Sequence, residues 1–138
     1  KLADTDHSFF FDIFARVGGP TLPVGEQASA GSMITIDSSS VIGDNMWLWR
    51  ADHMEGGTLV KNGDNPCDHG AVITGDDVIM YGLAAEHTLK DIILWSGAQE
   101  EYPTLLCVST CDHLLIYAGT GCGRRAWSVL LFSGRTAL

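Results

Sequence analysis

The chain has 138 residues, the size of one ordinary domain, and 46% of them are apolar, which is enough for a packed core and excludes intrinsic disorder. No run of about 18 uncharged apolar residues occurs, so the sequence predicts no membrane-spanning helix. The net charge is −9 and all 17 acidic residues lie within 1–118, so this acidic body argues against binding to a nucleic-acid backbone.

Short β-prone runs separated by Gly, Asp, Asn and Ser follow one another along the whole chain. In chain order they are 12–15, 33–37, 41–48, 59–63, 71–75, 78–85, 93–97, 104–108, 111–118 and 130–134. Helical repeats of a similar period would need two amphipathic stretches of ten or more residues per unit, and the sequence has no such stretches.

The runs recur as three blocks. The first block places Ile13, Met46, Leu83 and Ile116 at equivalent positions, spaced by 33, 37 and 33 residues. The second block comprises 59–63, 93–97 and 130–134, and the third comprises 33–37, 71–75 and 104–108. Three strands per unit, stacked unit on unit, predict an all-β fold: a short right-handed parallel β-helix of about three to four coils. We expect one β-helix domain over 1–138, either whole or a piece of a longer β-helix.

The alternation of side chains along each strand predicts which of them line the interior. The inward set is Ile13, Ala15, Met46, Leu48, Leu83, Ala85, Ile116 and Ala118. The outward set is Phe14, Trp47, Trp49, Ala84 and Tyr117. Because so short a solenoid exposes unpaired strand edges, we expect its own termini or a protein partner to cover the coil ends.

Cysteines and turn aspartates are the possible metal ligands of the chain. Four cysteines, Cys67, Cys107, Cys111 and Cys122, are compatible with two disulfides in an oxidising compartment or with buried thiols, and their spacing around His113 matches no standard zinc pattern. The aspartates of predicted turns are Asp37, Asp44, Asp76 and Asp77, and Asp in a turn commonly caps its own backbone. We therefore predict no metal site and no cofactor.

The densest cluster of functional side chains is the run 47–53. Outward Trp47 and Trp49 offer flat faces for stacking on sugar rings, and Arg50 and His53 offer groups that bind hydroxyls. The alternative interpretation is that one tryptophan packs under a loop and that Arg50 forms a local ion pair with Asp52.

Two carboxylates one coil apart, Asp52 and Glu86, form a candidate catalytic pair. The repeat alignment brings Glu86 and His87 close to Trp49 and Arg50, on the same surface. Retaining glycosidases need about 5 Å between their carboxylates and inverting ones about 6.5–9.5 Å, so a pair one strand spacing apart is admissible. The alternative is that these groups only make satisfied turn contacts.

Residues 12–97 resemble the β-helix of glycoside hydrolase family 55 and related pectate-lyase-like proteins. The matching phrases are DIFARVGG at 12–19, DNMWLWRADH at 44–53, GDDV at 75–78, YGLAAEH at 81–87 and LWSG at 94–97. The resemblance implies a β-helix, an extracellular setting and cleavage of β-1,3-glucan by a carboxylic general acid. Such hydrolases are several times longer, and beyond the last phrase they usually carry a Gln-x-Glu-type segment. Here the corresponding residues, 104–110, hold no carboxylate.

Three functional hypotheses follow. The first is a non-catalytic extracellular β-helix module that is structural or contacts a polysaccharide within a larger assembly. The second is a β-1,3-glucan-active hydrolase or a fragment of one, with Asp52 and Glu86 as its carboxylates. The third is a ligand-free subunit that docks a protein partner through its coil ends.

Overall fold

The computed structural model describes residues 7–19, 22, 26–53 and 64–96, and the backbone of 104–109 and 128–133. These residues form nine strands. The strands are β1 (Ser8–Phe11), β2 (Phe14–Val17), β3 (Ala30–Ile36), β4 (Val41–Arg50), β5 (Cys67–Ile73), β6 (Val78–Glu86), β7 (Ile93–Trp95), β8 (Thr104–Ser109) and β9 (Ser128–Ser133). The described part of the chain contains no helix that is long and apolar enough to cross a membrane.

All strand pairings in the described residues are parallel. Sheet A has the order β1-β4-β6-β8-β9, with β2 also beside β4, and sheet B has the order β3-β5-β7. From β3 to β8 the chain passes alternately through sheet B and sheet A, so each pass through both sheets completes one coil. The predicted all-β parallel β-helix is thus confirmed.

The register of sheet A confirms the first two repeat spacings. Phe14 lies opposite Trp47, 33 residues later, and Met46 lies opposite Leu83, 37 residues later. In sheet B the third block was aligned one residue off, because Ile36 pairs with Ile73 and not with the following threonine. A shift of one residue in register would place inward side chains opposite outward ones. The observed register places the buried Ile36 beside the buried Ile73.

The later repeat alignment was wrong. β7 pairs with β5 in sheet B, whereas the sequence grouped it with 59–63, which lie outside the described residues. β8 pairs with β6 in sheet A, so Cys107 takes the place opposite Leu83 that was predicted for Ile116. β9 pairs with β8 in the same sheet.

Loop length explains this error. The connection from β4 to β5 is residues 51–66, whereas the connection from β6 to β7 is only residues 87–92. The coil therefore repeats after 37 residues between Ala30 and Cys67 but after 22 residues between Ala71 and Ile93. A fixed period cannot follow a solenoid whose loops differ this much.

A residue in the left-handed backbone conformation lies at the same height of sheet A in three coils. Asp12, Asn45 and Gly82 have φ values of 54°, 51° and 63°. Asn45 Nδ2 donates a 2.6 Å hydrogen bond to Asp12 Oδ1, which joins the first two of these kinks. Asn, Asp and Gly are the residues that tolerate this conformation best.

The kink shifts the inward–outward alternation of β4 by one residue. Val41 and Gly43 are buried before it, and Met46 and Leu48 are buried after it. Without the shift, Trp47 would fall on an inward position, so the kink is what turns the tryptophans of this strand outward.

The core lies between the two sheets and agrees with the predicted inward set. Met46, Leu48, Leu83 and Ala85 are fully buried, and Ile13 and Ala15 pack against the core from its first coil. Ile116, Tyr117 and Ala118 lie outside the described residues. The sheet B contribution is Ile36, Ala71, Ile73, Ile93 and Trp95.

Cys67 is a buried free thiol, so this cysteine forms no part of the expected disulfides. Its Sγ donates to the carbonyl oxygen of His69 at 3.3 Å, and burial raises the pKa of the thiol. The side chains of the other three cysteines lie outside the described residues.

Leu83→Asp is expected to abolish folding, because it buries an unpaired charge in the interior ladder and costs more than about 4 kcal/mol. Tyr81→Asp is the matched control, since Tyr81 is 44% exposed on the same strand. Thermal melting followed by circular dichroism tests both variants. A Leu83→Asp variant that melts like the wild type would contradict the assigned interior.

Candidate functional site

Six side chains form a regular array on the outer face of sheet A. On the first coil they are Phe14 and Arg16, on the second Trp47 and Trp49, and on the third Ala84 and Glu86, each pair directly opposite the next in register. We call these six residues the outer grid. Its position follows from the kink described above, which sets the outward alternation of all three strands.

The aromatic members of the outer grid contact one another. The ring centroids of Phe14 and Trp47 are 4.9 Å apart, and those of Trp47 and Trp49 are 5.9 Å apart with 28° between their planes. The ring of His53 continues the series 5.1 Å from Trp49. Trp47 is 45% exposed, and its neighbour on the next coil is the small Ala84, so one side of the indole is open. The result is a continuous row of aromatic rings with polar groups at its end.

Asp52, His53, Glu86 and His87 lie at that end, and we call them the Asp52 cluster. His53 Nδ1 lies 2.8 Å from Asp52 Oδ1, and His87 Nε2 lies 3.4 Å from Asp52 Oδ2. The same His87 nitrogen is 4.0 Å from Glu86 Oε2. The sequence prediction that Glu86 and His87 share a surface with Trp49 agrees with this arrangement.

The two histidines govern the ionisation of Asp52. Partial burial acts to raise the pKa of its carboxyl group, but the hydrogen bond with His53 and the charge of His87 outweigh this effect. The pKa of Asp52 is therefore lowered, and at neutral pH the group is a carboxylate that accepts hydrogen bonds.

The separation of the two carboxylates can be bounded through His87. The nearest oxygens of Asp52 and Glu86 lie no farther apart than the sum of their distances to Nε2, about 7.4 Å. This bound is compatible with the carboxylate spacing of both retaining and inverting glycosidases.

Arg50 is the one predicted site residue that does not face the surface. It is 4% exposed, and its guanidinium donates to three backbone carbonyls. Nε donates to Asn65 at 3.0 Å, one terminal nitrogen to His87 at 3.1 Å and the other to Asp64 at 2.7 Å. The structure thus brings Trp47, Trp49 and the Asp52 cluster together at the surface, and it leaves Arg50 beneath them.

Sequence reasoning missed the contribution of the first coil. Phe14 was predicted to face outward but was not counted with the site, and Arg16 was not singled out at all. Arg16 is exposed and lies directly opposite Trp49, so it adds a cation to the outer grid. The 33-residue spacing between the first two coils, applied to Trp49, would have identified it.

Two of the aspartates predicted in turns contact residues of other coils. Asp37 accepts a 2.6 Å hydrogen bond from Thr74, and Asp77 lies 3.5 Å from His7. Within the described residues no group of three or more His, Cys, Asp and Glu side chains is arranged to hold a metal. His113 and the cysteines at 111 and 122 lie outside this part of the chain.

Two cavities lie near the first coil, and the second is lined in part by Arg16 of the outer grid. One, of about 210 Å³, is lined by Phe10, Ile34 and Val41 among others, and one of about 270 Å³ extends from Ala15 to Met33. The outer grid is by contrast an open surface, of a shape that suits an extended ligand better than a small enclosed one.

Comparison with known proteins identifies the family. The family model of the LAM55 pectate lyase-like domain matches residues 2–104. The chain belongs to the LAM55 pectate lyase-like domain family. The resemblance inferred from the phrases at 12–97 is thereby confirmed, and the LAM55 match covers the whole outer grid and the Asp52 cluster.

A curated relative is the exo-beta-1,3-glucanase of Streptomyces sp. (strain SirexAA-E / ActE). It is 38% identical over 86 residues, which are 62% of this LAM55 chain and 13% of the relative. The chain therefore aligns with only a small part of that enzyme's length. No solved structure matches the chain.

The stability of this LAM55 chain should depend on the ionisation of Asp52 in acid. Because the folded-state pKa lies below the ordinary value of 3.8, the charged carboxylate stabilises the fold above about pH 4, and this contribution disappears as the pH falls through the folded-state pKa. The effect should be below about 1 kcal/mol, since the side chain is 43% exposed. Urea unfolding of wild type and Asp52→Asn from pH 2.5 to pH 6 measures it. A stability difference that does not change across this range would contradict the assignment.

Proposed function

We propose that this chain is a β-helix module of a β-1,3-glucan-acting glycoside hydrolase, and that it contacts the glucan through the outer grid and the Asp52 cluster. Membership of the LAM55 family supports the enzyme class, and the name of the Streptomyces relative supports the substrate. The observation that carries the proposal is the stacked pair of the exposed Trp47 and the half-buried Trp49, which ends at the Asp52 cluster.

The chemistry of this surface suits a glucan. The CH faces of a glucose ring stack on flat aromatic rings, and indole supplies the largest such face with little loss of side-chain entropy. The ionised Asp52 accepts hydrogen bonds from sugar hydroxyls, and Arg16 donates to them from the other side of Trp49. In this proposal the aromatic strip holds the polymer and the polar groups set its orientation.

Hydrolysis by the Asp52 and Glu86 pair is the competing hypothesis. The observation in its favour is that one imidazole nitrogen of His87 lies within 4.0 Å of both carboxylates. Asp52, with its lowered pKa, would be the ionised member, as base or nucleophile, and Glu86 would have to donate the proton.

We nevertheless propose contact without turnover for this chain by itself. The resemblance to family 55 leads us to expect the proton donor within 104–110, and these residues carry no carboxylate. β8, which contains most of that segment, is the neighbour of β6 in sheet A, the strand that ends at Glu86. The missing donor would therefore belong to the coil adjacent to the Asp52 cluster.

We further propose an extracellular setting and a partner that covers the ends of the coils. A glucan-acting relative supports the first. For the second, β3 begins sheet B and pairs with β5 alone among the described strands, so its other edge can accept a further strand. That partner is either a further coil of a longer protein or a separate protein. The hypothesis of a ligand-free docking subunit requires a separate protein at this edge.

Trp47→Ala is expected to weaken binding to laminarin-type β-1,3-glucan about fivefold or more, because one aromatic stacking contact is worth about 1 kcal/mol. Tyr81→Ala is the matched control, since it removes an exposed aromatic ring from sheet A on the other side of the kink. Affinity electrophoresis in gels with and without laminarin measures both. Equal retardation of wild type and Trp47→Ala would exclude the outer grid as the binding surface.

Purified wild-type chain is expected to release no reducing sugar from laminarin, because the predicted donor segment has no acid. Asp52→Asn and Glu86→Gln are assayed beside it. Turnover by the wild type that disappears in either variant would establish the catalytic pair and overturn the proposal of contact alone. Turnover that persists in both would point to a different carboxylate.

A further inference from the structure

The buried Arg50 joins separate segments of the chain. It ends β4, opposite Val17 of the first coil, and its guanidinium reaches the returning chain at Asp64 and Asn65 as well as His87 of the next coil. A buried guanidinium is costly unless its donors are satisfied, and here three carbonyl oxygens accept from it. Lysine has no planar fork and cannot reach three separated acceptors in the same way.

The carbonyl of His87 belongs to a residue with an unfavourable backbone. His87 has a φ of 60°, in the left-handed region that a non-glycine residue rarely adopts without support. The bond from Arg50 holds this peptide in place from inside the coil. The imidazole, on the outside, then lies between Asp52 and Glu86 at 3.4 Å and 4.0 Å.

A second contact supports the hydrogen bonds of Arg50. Asn65, whose carbonyl accepts from Arg50 Nε, also has a left-handed φ, of 48°, and packs against Gly18 so closely that a Cβ at Gly18 would collide with its amide. Arg50 therefore lies where the first three coils meet.

We infer that Arg50 is a positioning residue, which fixes His87 in the left-handed conformation so that its imidazole lies between the two carboxylates of the Asp52 cluster. The inference rests on the proposed function only in treating this cluster as the sugar-contacting group. Its test needs no glucan, so failure of glucan binding and failure of this inference are distinguishable.

The test is the pKa of the Asp52 carboxyl, measured by carbon NMR in wild type, Arg50→Lys, His87→Ala and the double variant. Lysine keeps the positive charge and removes the fork. His87→Ala should raise the pKa of Asp52, because the charge of His87 helps to lower it. Arg50→Lys should raise it in the same direction, and the double variant should rise no further than His87→Ala alone. Lys90→Arg, an exposed change in the connection 87–92 that keeps the charge, should leave the pKa of Asp52 unchanged.

Two results of that experiment would overturn the inference. One is a lower stability of Arg50→Lys with the pKa of Asp52 unchanged, which would make Arg50 a structural residue alone. The other is additive shifts in the double variant, which would show that Arg50 and His87 act on Asp52 independently.

A second comparison decides the matter if Arg50→Lys does not fold. With Arg50 intact, His87→Gly should have a severalfold larger folding equilibrium constant than His87→Ala, since glycine adopts the held left-handed conformation without strain. Equal stability of the two variants, or greater stability of the alanine variant, would mean that the backbone at this position is not held, and the inference would fail.

Discussion

The in-register stacking of parallel strands, with a left-handed residue at the same height in successive coils, is the constraint on which the rest of the structure depends. Asp12, Asn45 and Gly82 adopt this conformation, and Asn45 and Gly82 shift the side-chain alternation of their strands by one residue. As a result, β4 has Met46 and Leu48 in the core and Trp47 and Trp49 on its outer face. Because the first three coils of sheet A carry the kink, their outward positions align and form an array, which a single strand could not provide.

The electrostatics of the Asp52 cluster depend on the buried guanidinium of Arg50. Arg50 donates hydrogen bonds to carbonyl oxygens of two loops, and one of those carbonyls belongs to His87. His87 and His53 flank Asp52, and together they lower the pKa of its carboxyl group despite partial burial. The interior hydrogen bonds and the outer cluster are thus parts of one arrangement that spans adjacent coils.

Much of the fold could be predicted from the sequence, because the period-two pattern and the recurring turn residues depend on local chemistry. The alignment of Ile13, Met46 and Leu83 followed from that pattern. The sheet to which 104–108 belong could not be predicted in this way. It depends on the short connection 87–92, and loop length changes the period without changing the pattern of any strand. The surface position of Trp47, Trp49 and Glu86 was predictable from alternation. Alternation also places Arg50 inward with Met46 and Leu48, although the sequence interpretation assigned it to the surface cluster. Its partners could not be predicted, because they are backbone carbonyls, which every residue carries and no motif marks.

The most direct test of the account is an NMR titration of the tryptophan indole N–H signals with a β-1,3-linked gluco-oligosaccharide. The signals of Trp47 and Trp49 should shift with the same saturation curve, while the signal of the fully buried Trp95 stays in place as an internal reference. An oligosaccharide that saturates the chain and leaves the signals of Trp47 and Trp49 unmoved would contradict the assignment of the outer grid as the glucan-contacting surface.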